Sequence, residues 1–311
     1  MWLAAISSMQ TWTGSAGYPR IFQEATMSEI QAPATVAVLG AGLMGSAIAA
    51  QYAAAGYRVR VTTSSSTSPV EAVRRVQHHL DDTGAEVQWC GSVAEAAAQA
   101  AIVVESLPER LEIKQEQLSA AQKASPDAIL CTNTSSLLIG DLAAALTDPS
   151  RLVGTHYLSP PTAFRVVELI AGPKTSPAVY STVEAVLRTM GQKPIRVRKD
   201  APGFVINRLQ FGFLREAVAL VDEGIVSAED LDTVVRDGLA RRWAQAGPFT
   251  VVAMGGSELF ARVAAQVWPY LSNATTPRDG VGRRVFEPDE LDRIRSAVRS
   301  ELLALSAVDQ S

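Results

Sequence analysis

A chain of 311 residues is long enough to bury two cores, so one or two domains are expected. With 47% hydrophobic and 19% charged residues, a net charge of -4 and a mean hydropathy of +0.10, it reads as an ordinary soluble globular protein; no basic patch points to nucleic acid, and no apolar run reaches the roughly 20 residues of a membrane span. Cys90 and Cys131 are too few for a disulfide framework and lack metal-ligand spacing, so no metal is expected and the compartment is read as reducing and cytoplasmic.

Residues 1–33 differ in character from the rest of the chain and are read as an N-terminal extension. Met1 to Ile6 lacks a basic flank and is too short for a signal peptide, and Thr11 to Arg20 is rich in Gly, Ser and Pro without a helical period. Met27 stands eight residues before the first strand, so 1–26 look additional to the folded chain. The stretch Thr35 to Ala50 organises the rest. Val36, Val38 and Leu39 make a short buried strand, Gly40-x-Gly42-x-x-Gly45 breaks it, and an Ala-rich helix comes next. This order is a dinucleotide-binding fingerprint. Gly40 turns the chain, Gly42 lets backbone approach a pyrophosphate, and Gly45 lets helix and strand pack closely. Leu43 and Met44 open the helix and offer free N–H groups to the phosphates.

Gly56 to Thr62 is the second strand, with valines alternating at 59 and 61. An NAD enzyme usually carries an acid just beyond this strand for the ribose 2′-OH, whereas Thr62 to Thr67 is a run of hydroxyls. Thr63 and Ser64 are therefore candidate ribose contacts. The cofactor is NAD or NADP, with a lean to NADP; a merely polar loop is the alternative.

Residues 69–80 form a helix ending in the solvated His78 and His79, and 86–90 a short strand. Residues 92–100 make a helix, 101–105 a strand, 111–124 an amphipathic helix and 127–131 another strand. This alternation predicts an α/β fold with a doubly wound parallel sheet. Thr132 to Ser136, directly after a strand, stands where such sheets bind ligands and includes Asn133 as a cofactor-side candidate; it is the first of three stretches that carry chemistry. The second holds His156 and, in an otherwise apolar strand, Glu168; the third is Asp200 to Arg208. A carboxylate in such a strand is costly without a partner, and a nearby His satisfies it while gaining a fixed tautomer. The competing reading is a turn-capping His and an edge-facing Glu.

Together these residues resemble the 3-hydroxyacyl-CoA dehydrogenase family, over roughly residues 34 to 255. The resemblance implies a Rossmann sheet followed by an all-helical C-terminal domain, with boundaries at 34–199 and 200–311. It also implies His156 as general base in Thr155-His-Tyr, Glu168 as its orienting carboxylate, Ser135 and Asn207 as substrate contacts, and Glu109 and Lys114 as contacts on the nicotinamide side. The family's Asn three residues after the His is Ser159 here. Tandem Pro160-Pro161 is more similar to relatives acting on free hydroxy acids than to the fatty-acid enzymes.

Leu209, Phe213, Ala217 and Leu220 recur at helical spacing, Ser227 is a plausible N-cap, and Pro288 to Leu305 is a further amphipathic helix. The resemblance assigns this region to a homodimer interface. The expected function is interconversion of a 3-hydroxy acid or 3-hydroxyacyl thioester with its 3-oxo form. The alternatives are a biosynthetic reductase on a carrier-bound or polar substrate, and a non-catalytic dinucleotide-binding relative.

Overall fold

The computed structural model describes residues 30–63, 68–80, 85, 87–276 and 288–308. Residues 1–29 and the ribose-loop residue Ser64 lie outside the described residues. Eight strands form one sheet: β1 (Thr35–Leu39), β2 (Arg58–Thr62), β3 (Val87–Trp89), β4 (Ile102–Glu105), β5 (Ile129–Thr132), β6 (Leu152–Tyr157), β7 (Val166–Ala171) and β8 (Lys193–Val197). Their order is β3-β2-β1-β4-β5-β6-β7-β8. From β3 through β6 every pairing is parallel, as the strand–helix alternation predicts, and the sheet is Rossmann-like. β7 then turns back antiparallel on β6, and β8 runs parallel to β7. The sheet is therefore mostly, not wholly, parallel. The physical reason is loop length: β6 and β7 are joined by residues 158–165 with no helix to carry a parallel crossover.

Both faces are covered. In β1, Val36 and Val38 point to a core built with Ile48, Tyr52, Val59 and Val61, while Ala37 and Leu39 point to one built with Leu118, Leu130 and Leu142. Strands buried on both sides read as continuous apolar runs, which is why this part of the chain is legible from composition. Several helix starts are set by serine caps. Ser68, Ser92, Ser176 and Ser227 each accept, through Oγ, the backbone N–H three residues on.

The described residues separate into two compact units, divided between Arg208 and Leu209 inside the helix Ile206–Asp222. The sheet and residues up to Arg208, with the chain from Asp292 on, form one. The other, Leu209–Leu291, is helical over its described residues, with Ala217, Ala219 and Val251 buried and the Phe213 ring edge-on to Trp243 at 6.3 Å. Of the apolar stripe read along its first helix, Ala217 is buried, whereas Leu209 is 67% exposed and Phe211 beside it 59%. Among the described residues no helix is long and apolar enough to cross a membrane, and no group of three metal-ligating side chains occurs.

Candidate active site

Every candidate residue for chemistry lies on the sheet unit, beyond the C-terminal ends of its parallel strands or on the β6–β7 pair. The glycine turn after β1 has the shape that a dinucleotide needs. Gly40 adopts φ +100, and a Cβ there would stand 2.5 Å from the Ser106 carbonyl oxygen. A Cβ on Gly45 would stand 1.8 Å from the Gly40 oxygen, so helix and turn fit together only without one. At Gly42 nothing lies within 4 Å, which leaves open space in front of the backbone. The helix Leu43–Ala54 starts there without a side-chain cap, and its first backbone bond is Ser46 N–H to Gly42 oxygen at 3.0 Å. The N–H groups of Leu43, Met44 and Gly45 precede that bond and stand at the positive end of the helix. These residues fit a dinucleotide pyrophosphate. Thr63 comes directly after β2, whose Thr62 carbonyl accepts the Gly40 N–H at 2.8 Å. From the next helix Arg75 returns toward this loop, with Nη1 3.5 Å from the Ala41 carbonyl and Nε on Glu71.

His156 and Glu168 are direct cross-strand partners in the antiparallel β6–β7 register, so their side chains leave the same face of the sheet. His156 Nδ1 lies 2.7 Å from Glu168 Oε2, with both residues buried. The second carboxylate oxygen accepts the backbone N–H groups of Val205 and Ile206 at 2.7 and 3.0 Å. Burial alone would push the Glu168 carboxyl up; the bonds from His156, Ile206 and Val205 outweigh it and hold the group below the usual carboxylate range. An ionised Glu168 accepts a hydrogen bond from Nδ1–H, which keeps the proton on Nδ1 and leaves the lone pair on Nε2. That is the tautomer a general base needs.

Asn207, the next residue after that N–H pair, donates from Nδ2 to the Ser135 carbonyl at 2.8 Å. Ser135 is thereby joined to the His–Glu pair through one short segment of chain. Its loop is held from the other side by Glu109, whose Oε1 accepts the Thr134 hydroxyl at 2.6 Å and the N–H groups of Ser135 and Ser136 at 2.9 and 2.7 Å. Burial would raise the Glu109 carboxyl, but bonds from Thr134 and Ser136 and the nearby Lys114 hold it down at about 2. Asp200 accepts the N–H groups of Ile139 and Gly140 and closes the far end of the same loop. Asn133 braces the loop against β6: its Oδ1 accepts the Tyr157 N–H at 2.9 Å and its Nδ2 donates to Ser106 Oγ at 3.3 Å.

Lys114 sits beneath these contacts, 1% exposed. Its Nζ lies 2.7 Å from Glu105 Oε1, 3.1 Å from the Leu107 carbonyl and 3.4 Å from Glu109 Oε2. Sequence reasoning passed over Glu105, although the signal that exposed Glu168, a carboxylate in an apolar strand, was equally present in Ile102-Val-Val-Glu105. Ser159, standing where the resemblance expects Asn, is exposed, and its loop is tied down by Gln51 Nε2 on the Pro161 carbonyl at 2.8 Å.

Residues 35–201 match the family model for the NAD binding domain of 3-hydroxyacyl-CoA dehydrogenase, and residues 203–295 match the model for its C-terminal domain. The chain is 33% identical to 5-formyl-3-hydroxy-2-methylpyridine 4-carboxylate 5-dehydrogenase of Mesorhizobium japonicum, over 81% of this chain and 84% of that one. A crystal structure of such a dehydrogenase, described as an NAD+ dependent dismutase, superposes with a TM-score of 0.79 at 28% identity, covering 88% of this chain and 97% of that one. L-carnitine dehydrogenase of Pseudomonas putida is 32% identical over 72% of this chain and 73% of its own.

Proposed function

The chain belongs to the 3-hydroxyacyl-CoA dehydrogenase family, and on that premise we propose that it interconverts a 3-hydroxy acid, free or as an acyl thioester, with its 3-oxo form, His156 acting as general base and acid. NAD-dependent dehydrogenation of a hydroxyacyl or hydroxy acid substrate is the family's activity. The observation that carries the finer reading is the buried 2.7 Å contact of His156 Nδ1 with Glu168.

The residues around the glycine turn would hold NAD by its pyrophosphate, and the nicotinamide, when bound, supplies hydride acceptance at the carbinol carbon. His156 Nε2 takes the hydroxyl proton as that carbon is oxidised, and returns it in reduction. Glu168, already ionised, stabilises the imidazolium so formed without itself taking the proton. Ser135 and Asn207, joined by their 2.8 Å bond, hold the substrate oxygen in reach of Nε2. Glu109 and Lys114 support that placement by fixing the Ser135 loop.

Pro160-Pro161 and the likeness to L-carnitine dehydrogenase, whose named substrate is itself a small 3-hydroxy acid, favour a free acid over a thioester. The test is NAD-coupled oxidation of a panel of free 3-hydroxy acids beside their CoA thioesters. Turnover of a free acid is expected, and no turnover of any member would overturn the reading. The hydroxyl run at Thr63 favours NADP, but the family model is an NAD binding domain and the dismutase is NAD-dependent, so NAD is the cofactor proposed. Fluorescence titration is expected to give tighter NADH than NADPH.

The exposed Leu209, Phe211 and Phe249 of the helical unit support a second copy of the chain as its partner. Light scattering should give twice the chain mass of 33.1 kDa, and the single-chain mass would refute the dimer.

A further inference from the structure

Beside the His–Glu pair, Phe204 has a backbone conformation that is uncommon for a residue other than glycine. It has φ 46 and comes after Gly203 at φ 75, so two successive residues are left-handed. For a bulky side chain this region is sterically costly. Such a cost persists only where the surroundings over-determine the conformation.

What the conformation accomplishes can be traced bond by bond. Phe204 N–H closes a turn onto the Ala201 carbonyl at 3.0 Å. The next two N–H groups, of Val205 and Ile206, then converge on one oxygen of Glu168. Arg208 N–H returns to the Gly203 carbonyl at 3.1 Å and starts the helix. The Phe204 side chain is turned inward, 3% exposed, and its ring rests against the imidazole of His156 with centroids 5.8 Å apart and planes inclined at 55°. One residue thus aims the donors that fix the carboxylate and supplies the wall that fixes the imidazole.

We propose that Phe204 is a positioning residue for His156: its ring blocks rotation of the imidazole and keeps water off the Nδ1–Glu168 bond. The hydrogen bond fixes Nδ1 at one point only. A second constraint from the tilted ring beside it leaves Nε2 a single direction, which a reaction limited by alignment requires. Excluding water also lowers the local dielectric, so the Glu168 carboxylate acts on the imidazolium with less screening. Apolar packing alone would need no left-handed backbone. The proposal rests on His156 being the general base.

The test uses the full-length protein with Phe204→Leu, which keeps an apolar side chain of similar reach but loses the flat face. Two readouts are taken. In steady-state oxidation kcat is expected to fall about tenfold or more with KM within about twofold, because alignment and not binding is lost. In nitrogen-15 imidazole NMR, simplified by the chain's 3 histidines, the downfield Nδ1 proton of His156 is expected in the parent protein and lost to water exchange in the variant. A folded variant with either parental kcat or a parental Nδ1 proton signal overturns the proposal. If Phe204→Leu fails to fold, Phe204→Gly, which relieves the left-handed strain while removing the ring, carries the same two readouts. A parent protein that oxidises no hydroxy acid would defeat the functional reading instead, and the proton signal would still decide whether Phe204 shields the pair.

Discussion

His156→Ala is expected to lower turnover by about 10³-fold while leaving NADH affinity within about twofold, the range that loss of a positioned general base produces. The fold should tolerate the change. Glu168 keeps the Val205 and Ile206 N–H groups on its other oxygen, so its charge is not left bare. The glycine turn that would hold the cofactor is built from β1, β2 and the helix after them, none of which leans on the imidazole. The measurements are steady-state oxidation at saturating hydroxy acid and a fluorescence titration with NADH. A variant within tenfold of the parent rate would remove His156 from the chemistry. Equal loss of rate and of cofactor binding would instead mark a collapsed site.

Lys114→Met should destabilise the protein by about 3–5 kcal/mol, the cost of leaving a buried partner charge uncompensated. Glu105 is fully buried; without the ammonium its carboxylate keeps only neutral donors, the Leu107 N–H and the Thr132 hydroxyl, both at 2.6 Å. The double variant Lys114→Met with Glu105→Gln should recover much of the loss, since the charge is then gone along with its partner. Urea denaturation of the two single variants, the double variant and the parent measures this. The outcome also separates two roles for the lysine. A strut under the Ser135 loop loses stability first, whereas a direct nicotinamide-side contact would lose NADH affinity at parental stability.

The chemical types at the site are readable from the chain alone. Gly40, Gly42 and Gly45 announce a phosphate-cradling turn because the strand before and the helix after have unmistakable periods. Glu168 stands out because a carboxylate among valines and leucines needs a partner. Partners were harder. Glu109 and Lys114 read as cofactor contacts only by resemblance, and their placement as loop clamp and buried strut depends on three-dimensional neighbours. Phe204 carried no signal at all, since a φ of 46 is not written in the letter F.

By itself the sequence determined the βαβ alternation, the phosphate turn, the Ser227 cap and the residues able to do acid–base work. Those properties rest on local sterics and on a hydrophobic period that any short window contains. Only the tertiary structure decided that β7 reverses on β6, and that this reversal sets His156 opposite Glu168. A strand's apolar pattern is the same read in either direction, so direction and register are settled by which pairing buries both faces and satisfies the carboxylate at once.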